Sequence, residues 1–197
     1  MAGEAGGVLI RKTGREIWLN RVRVWLPPVL VVVALALRKP AGGGHWWGMA
    51  LVVVGEALRT WASGHLLKDE ALTVGGPYAY VRNPLYLGSF ISTVGFLVIL
   101  GDLWLGLILL AIALVIYVPT VKQEENYLRR MHGEAFYSYS QEVPALVPQP
   151  KPAAVEADGV RRSRFEWRRV WLNKEHKTWV GLVVLFGLLV ARARLPG

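Results

Sequence analysis

The apolar residues of this chain fall into blocks, and the blocks constrain the fold more than any other feature. Trp25–Leu37, Trp46–Leu67, Tyr86–Leu100, Leu103–Val118 and Val180–Ala191 are separated by charged or Gly/Pro-rich punctuation. That is the pattern of membrane helices rather than the spaced periodicity of a globular helix. Hydrophobic residues fill 53% of the 197 positions. Most of the nine tryptophans flank the blocks, as rings seated at headgroup level do. A soluble helical protein with very apolar helices is the alternative, and the block lengths weigh against it. The expectation is an all-α, polytopic membrane protein with about five spans.

The net charge of +9 points the same way once its distribution is considered. With the N-terminus inside and all five blocks crossing, nineteen Lys and Arg lie on the cytoplasmic side and four outside. Lys and Arg concentrate in cytoplasmic segments, so this orientation is strongly favoured. The charge thus reports topology and calls for no nucleic-acid partner. There is no cysteine, which excludes disulfides, thiolate metal sites and thiol nucleophiles. The four histidines are dispersed without an HxxxH pair, so no metal site is indicated.

Four regions follow along the chain. Residues 1–24 are a basic lead-in, with Ile17–Trp25 suited to a short interfacial helix. Residues 25–148 hold the core. Its first block, Trp25–Leu37, also resembles a signal peptide through Ala34-Leu35-Ala36, although the basic region before it is long. Residues 149–164 read as a linker by their prolines and charges. Residues 165–197 comprise a basic, aromatic surface helix (Phe165–Trp179) and then the fifth block. Inside the second block, Glu56 and Arg59 stand three apart on one helix face and read as a structural ion pair.

The segment that carries chemistry is GPYAYVRNPLYLG, residues 76–88. Pro84 suits the first position of a helix and Asn83 the cap before it. The third block therefore starts at the cytoplasmic surface with free amide groups at Leu85 and Tyr86, an end that attracts anions. Arg82 adds positive charge there, and Tyr78, Tyr80 and Tyr86 add aromatic faces. Only Gly101-Asp102 separates the third and fourth blocks, so they form a tight antiparallel hairpin. From Pro84 to Gly101 is as many positions as from Asp102 to Pro119, which returns the chain to the depth of Pro84. Just beyond lies Lys122-Gln123-Glu124-Glu125. An anion-attracting helix end facing carboxylates suits a zwitterionic ligand.

These residues resemble a known family. The run LTVGGPYAYVRNPLYLG, followed by EENYLRRMHGEAFYSYSQEVPALVP, is similar to the isoprenylcysteine carboxyl methyltransferase and phospholipid methyltransferase superfamily over roughly residues 50–148. Its members are integral membrane enzymes that bind S-adenosylmethionine near the cytosolic side and admit substrate from the bilayer. The resemblance implies that Leu72, Thr73, Tyr78, Asn83, Pro84, Tyr86 and Glu124 line the cofactor. It implies catalytic roles for Glu124, Glu125 and Arg82, and a tail, Gly133–Pro148, that closes over the cofactor through Phe136, Tyr139, Val143 and Pro144. The prenylcysteine enzymes carry His where Asn83 stands, another His near Glu70, and an Arg where Thr120 stands. That Arg is associated with the substrate carboxylate, and here Lys122 is the candidate in its place.

The expected reaction is in-line methyl transfer from S-adenosylmethionine to a lipophilic or membrane-adjacent acceptor. Phospholipid amines and thiols are alternative acceptors on the same scaffold. An NADPH-dependent membrane reductase and a non-enzymatic membrane assembly protein are the rival classes. The expected setting is a prokaryotic inner membrane, with the N-terminus and the cofactor site cytoplasmic, and with the bilayer and a lipophilic small molecule as partners.

Overall fold

The computed structural model describes residues 47–68 and 70–194, with residues 29, 32 and 33 ahead of them. The expected interfacial lead-in and most of the first apolar block lie outside these residues. The described chain is mostly helical. In order it forms α1 (Gly48–His65), β1 (Leu72–Thr73), a 3-10 turn (Gly76–Ala79), α2 (Pro84–Leu100), α3 (Leu103–Glu142), β2 (Val160–Arg161), α4 (Trp167–Leu172) and α5 (Glu175–Arg194).

The hairpin forms where punctuation placed it. Pro84 opens α2, and Gly101 ends it in the left-handed conformation (φ 72°) that glycine adopts without steric cost. Asp102 then caps α3, its carboxylate accepting from the Leu105 amide at 3.0 Å. The two helices return to equal depth: the rings of Tyr86 and Tyr117 meet edge to face, 6.1 Å between centroids. Leu97, Leu100, Leu109, Ala113 and Val121 complete the apolar seam around them.

α3 is longer than its apolar block and runs on for 40 residues. It carries Pro119 inside and breaks at Gly133, whose φ of 48° and ψ of −120° are not helical. It is the one helix among the described residues that is both long and apolar enough to cross a membrane, while α2 is a shorter apolar helix.

α1 and α2 pack backbone on backbone. Gly48 faces Gly95, and Gly55 faces Gly88. A Cβ on Gly88 would lie 2.6 Å from the Gly55 carbonyl oxygen, and one on Gly95 equally close to that of Gly48. Both pairs are seven residues apart on antiparallel helices, so the contact repeats every two turns. α5 lies against the same pair: Leu185 and Leu189 pack with Val52, Phe96 and Ile99. Its start meets Arg59 and its later turns meet the region of Met49 and Val52, so it runs antiparallel to α1.

Two sequence expectations are revised here. Phe165–Trp179 is not one surface helix. It breaks at Asn173-Lys174, where Lys174 takes φ 62°, and the remainder becomes the first turn of α5. Residues 149–164, which read as a linker by composition, are packed. Val155 is buried with Leu72, Val74, Phe136, Tyr139 and Val143, and Val160-Arg161 pairs in parallel with Leu72-Thr73. This short pairing is the only sheet among the described residues.

Candidate functional site

The corner at residues 78–84 is held from three directions. Below it, Glu125 of α3 offers one oxygen to two donors: Arg82 Nε and Asn83 Nδ2 each reach Oε1 at 3.0 Å. Around it, the chain after α3 wraps over. Arg82 Nη1 donates to the carbonyls of Ser140 (2.7 Å) and Val143 (3.1 Å), and the Arg82 amide donates to Pro144. Asn83 Nδ2 also donates to the Ala145 carbonyl at 3.1 Å. Gln149 and Ala153 then donate their amides to the carbonyls of Tyr80 and Ala79. From the core side, the Tyr139 hydroxyl donates to the Tyr78 carbonyl at 2.8 Å. Burial holds that hydroxyl well above the ordinary phenol range, so it stays protonated and keeps donating.

This geometry reassigns several side chains. Asn83 occupies the cap position of α2, but its side chain makes no capping bond. Its amide is turned to Glu125 and Ala145 instead. Arg82 does not stand as a loose cation beside the helix end. Its guanidinium is spent on one carboxylate and two carbonyls, which fixes the wrap of the tail. Of the acidic pair, Glu125 is committed to the corner. Glu124, half-buried, has neither an ion pair nor a hydrogen bond among the described residues. Lys122 is exposed and likewise makes no ion pair.

The other expected site residues sit in the frame. Leu72 is buried in the apolar cluster under the tail. Thr73 Oγ1 accepts from the Leu67 amide at 2.9 Å, which ties β1 to the end of α1. Tyr78, Pro84 and Tyr86 are buried at the corner itself. Phe136, Tyr139 and Val143 are core residues of the tail.

A second polar cluster extends the Glu56–Arg59 pair expected from the sequence. Arg59 does pair with Glu56, at 3.5 Å, but its stronger partner is Glu175 at the start of α5, 2.6 Å from Nη2 and 2.8 Å from Nε. The same guanidinium donates to Ser89 Oγ and to the Leu85 carbonyl in the first turns of α2. The cluster therefore joins α1, α2 and α5. An isolated Glu at position 175 gives no sign in the sequence that its partner is 116 residues away.

With this geometry in view, comparison with known proteins is direct. Residues 44–135 match the model of the phospholipid methyltransferase family. The protein-S-isoprenylcysteine O-methyltransferase of Schizosaccharomyces pombe is 30% identical over 106 residues, covering 54% of this chain and 45% of that protein. The mouse (Mus musculus) protein of the same name is 29% identical over 121 residues, covering 55% and 43%. The nickel-cobalt-cadmium resistance protein NccN of Alcaligenes xylosoxydans xylosoxydans is 29% identical over 140 residues, covering 66% and 65%. Over this region the chain is similar to the superfamily that joins the isoprenylcysteine and phospholipid methyltransferases. It spans less than two-thirds of the length of each of these relatives. No solved structure matches it.

Proposed function

We propose that this chain is a membrane-embedded methyltransferase that uses S-adenosylmethionine and acts on a lipophilic or membrane-adjacent acceptor at the corner of residues 78–84. The observation that carries the reading is the split of the acidic pair. Glu125 locks the corner, and Glu124 is left uncommitted beside it.

The donor set fits such a cofactor chemically. The start of α2 is a partial positive charge suited to a carboxylate. Glu124 suits an ammonium, and Tyr78 and Tyr86 offer rings that attract a cation such as a sulfonium. S-adenosylmethionine, when bound, supplies an electrophilic methyl group. The chain's own work is positioning and exclusion of water. The tail from Tyr139 to Ala153, fastened to the corner by hydrogen bonds, shields it, and alignment carries most of the rate. A carboxylate or thiolate acceptor needs no base. For an amine acceptor, Glu124 takes the proton. Lys122, exposed one turn before Glu125, holds an anionic group of the acceptor.

The membrane reading rests on α3 together with the lengths and contacts of α1, α2 and α5. α5 traverses the same thickness as α1 and α2, which supports a crossing rather than a surface-lying fifth block. Its outward residues Val180, Val183, Val184 and Leu188 are exposed apolar groups suited to lipid. With the block at 25–37 this makes five spans, the corner on the cytoplasmic side, in a prokaryotic inner membrane.

Thermal-shift titration of the purified chain with S-adenosylmethionine and with NADPH tests the class. A shift with the first alone is expected, and a shift with NADPH alone would overturn the reading. Incubation with labelled S-adenosylmethionine and total membrane lipid, followed by chromatography, then identifies the acceptor.

A further inference from the structure

The segment between the β pairing and α5 fastens its inner side to the end of α1, the Glu166 amide donating to the Gly64 carbonyl and Asn173 Nδ2 to the Ser63 carbonyl, but its outward face is unusual. At 100° per residue, Trp167, Arg168, Trp171 and Leu172 of α4 fall within an arc of about 140°. All four are exposed, the two tryptophans at 60% and 57%, while Val170 points inward and is fully buried. α4 thus turns its large apolar side chains outward. A water-facing helix does the reverse, whereas a helix lying among lipid headgroups shows this arrangement.

The charges around this arc are one-sided. Arg164, Arg168, Lys174 and Lys177 are exposed, and none has an acidic partner among the described residues. The two nearby carboxylates are already taken. Glu166 is bound to Arg169 at 2.7 Å, and Glu175 is buried against Arg59 at 2.6 Å. Four uncompensated cations therefore surround two exposed indole rings. The arc also leads directly into α5, whose next turns expose Val180, Val183 and Val184. A basic, aromatic collar at the foot of an apolar helix is placed to meet the headgroup layer.

We propose that residues 164–177 form a headgroup-seated surface that selects anionic phospholipids over zwitterionic ones. Trp167 and Trp171 insert at the glycerol level, and Arg164, Arg168, Lys174 and Lys177 engage lipid phosphates. The inference rests on the membrane part of the reading above and is independent of methyl transfer.

The test is quenching of tryptophan fluorescence in the full chain reconstituted in nanodiscs. Brominated phosphatidylglycerol is compared with brominated phosphatidylcholine at equal mole fraction. Quenching by the anionic lipid is expected to exceed the other by about twofold or more at low salt, and the excess should shrink at high salt. It should vanish in the combined R164Q/R168Q/K174Q/K177Q variant. It should also vanish in W167F/W171F, which assigns it to this segment. Equal quenching by the two lipids, or an excess that survives either variant, overturns the proposal. The salt series on the unaltered chain decides the matter even where a variant fails to fold. If neither lipid quenches at all, the membrane reading falls with it; if only the anionic preference is missing, that reading stands.

Discussion

Asn83 Nδ2 donates to Glu125 Oε1 at 3.0 Å, joining the first turn of α2 to a point 42 residues further on. The same oxygen receives Arg82 Nε, so a single carboxylate closes the open end of the hairpin. Both partners of this ion pair are largely buried, with side chains 14% and 18% exposed. Removing one of them leaves the other uncompensated. Glu125→Ala should destabilise the chain by about 3–5 kcal/mol, because Arg82 remains buried without its counter-charge. Unfolding in detergent would read this, and a loss below about 1 kcal/mol would show that the corner is held by the tail alone.

Glu124 should behave in the opposite way. It makes no structural bond among the described residues, so Glu124→Gln should change stability by less than about 0.5 kcal/mol. Methyl transfer to an amine acceptor should fall by roughly 10²–10⁴-fold, the ordinary contribution of a positioned base. Tyr78→Ala should likewise abolish turnover while the protein still inserts. Full activity in either variant would remove these residues from the site.

The cluster around Arg59 predicts an asymmetry. Glu175→Gln leaves Arg59 paired with Glu56, whereas Arg59→Met strands two carboxylates together. The arginine variant should therefore be the less stable by several kcal/mol, on the order of a broken buried ion pair. Equal losses in the two variants would mean that Glu56 contributes nothing to the cluster.

The glycine contacts give a steric prediction. Gly55→Ala would drive a methyl group into Ser92 and the backbone of Gly88, and should cost about 1–3 kcal/mol or more. Gly106→Ala meets only Leu97 Cβ, at 3.8 Å, and should be tolerated or slightly stabilising in its helix. Thermal unfolding of the two variants side by side checks the difference.

His132 lies in α3 beyond its apolar stretch, and burial lowers its pKa below the usual 6.5. The unfolded chain therefore takes up this proton at a higher pH than the folded one. Its contribution to stability is complete above the unfolded value and declines as pH falls below about 6.5. Unfolding midpoints from about pH 5 to 8 should show a slope in the acid half that His132→Gln reduces.

The parts of this fold that the sequence announces are those written in local chemistry. Pro84, Gly101 and Asp102 each impose a backbone conformation at their own position, so the bounds of α2 and the start of α3 were legible to the residue. Equal spacings from Pro84 to Gly101 and from Asp102 to Pro119 then brought the Arg82-Asn83-Pro84 corner and the acidic pair to one depth without further information. That Glu125 and not Glu124 bonds the corner was not legible, because it depends on rotation about α3. The pairing of Gly48 with Gly95 and Gly55 with Gly88 has a visible seven-residue spacing, but glycine also serves turns, and the partner helix must be known before the spacing has meaning. Glu175 looked like one more charge in a basic segment. Only the return of α5 along α1 shows that it is buried. The packing of residues 149–164 was hidden by prolines and charges that usually mark free chain, although Val155 and Val160 were the apolar exceptions.

The shortness of α2 has a consequence for how an acceptor reaches the corner. Its 17 residues measure about 25 Å, several ångströms less than a typical hydrocarbon core of about 30 Å. Tight closure at Gly101-Asp102 denies the hairpin any slack at the far end. On the membrane reading proposed above, a span this short is accommodated by local thinning of the bilayer around it. On that reading the leaflet is drawn down toward the corner, and the proposed acceptor, anchored by its tail, would meet the methyl donor at its native depth, sliding in sideways without being lifted out of the lipid.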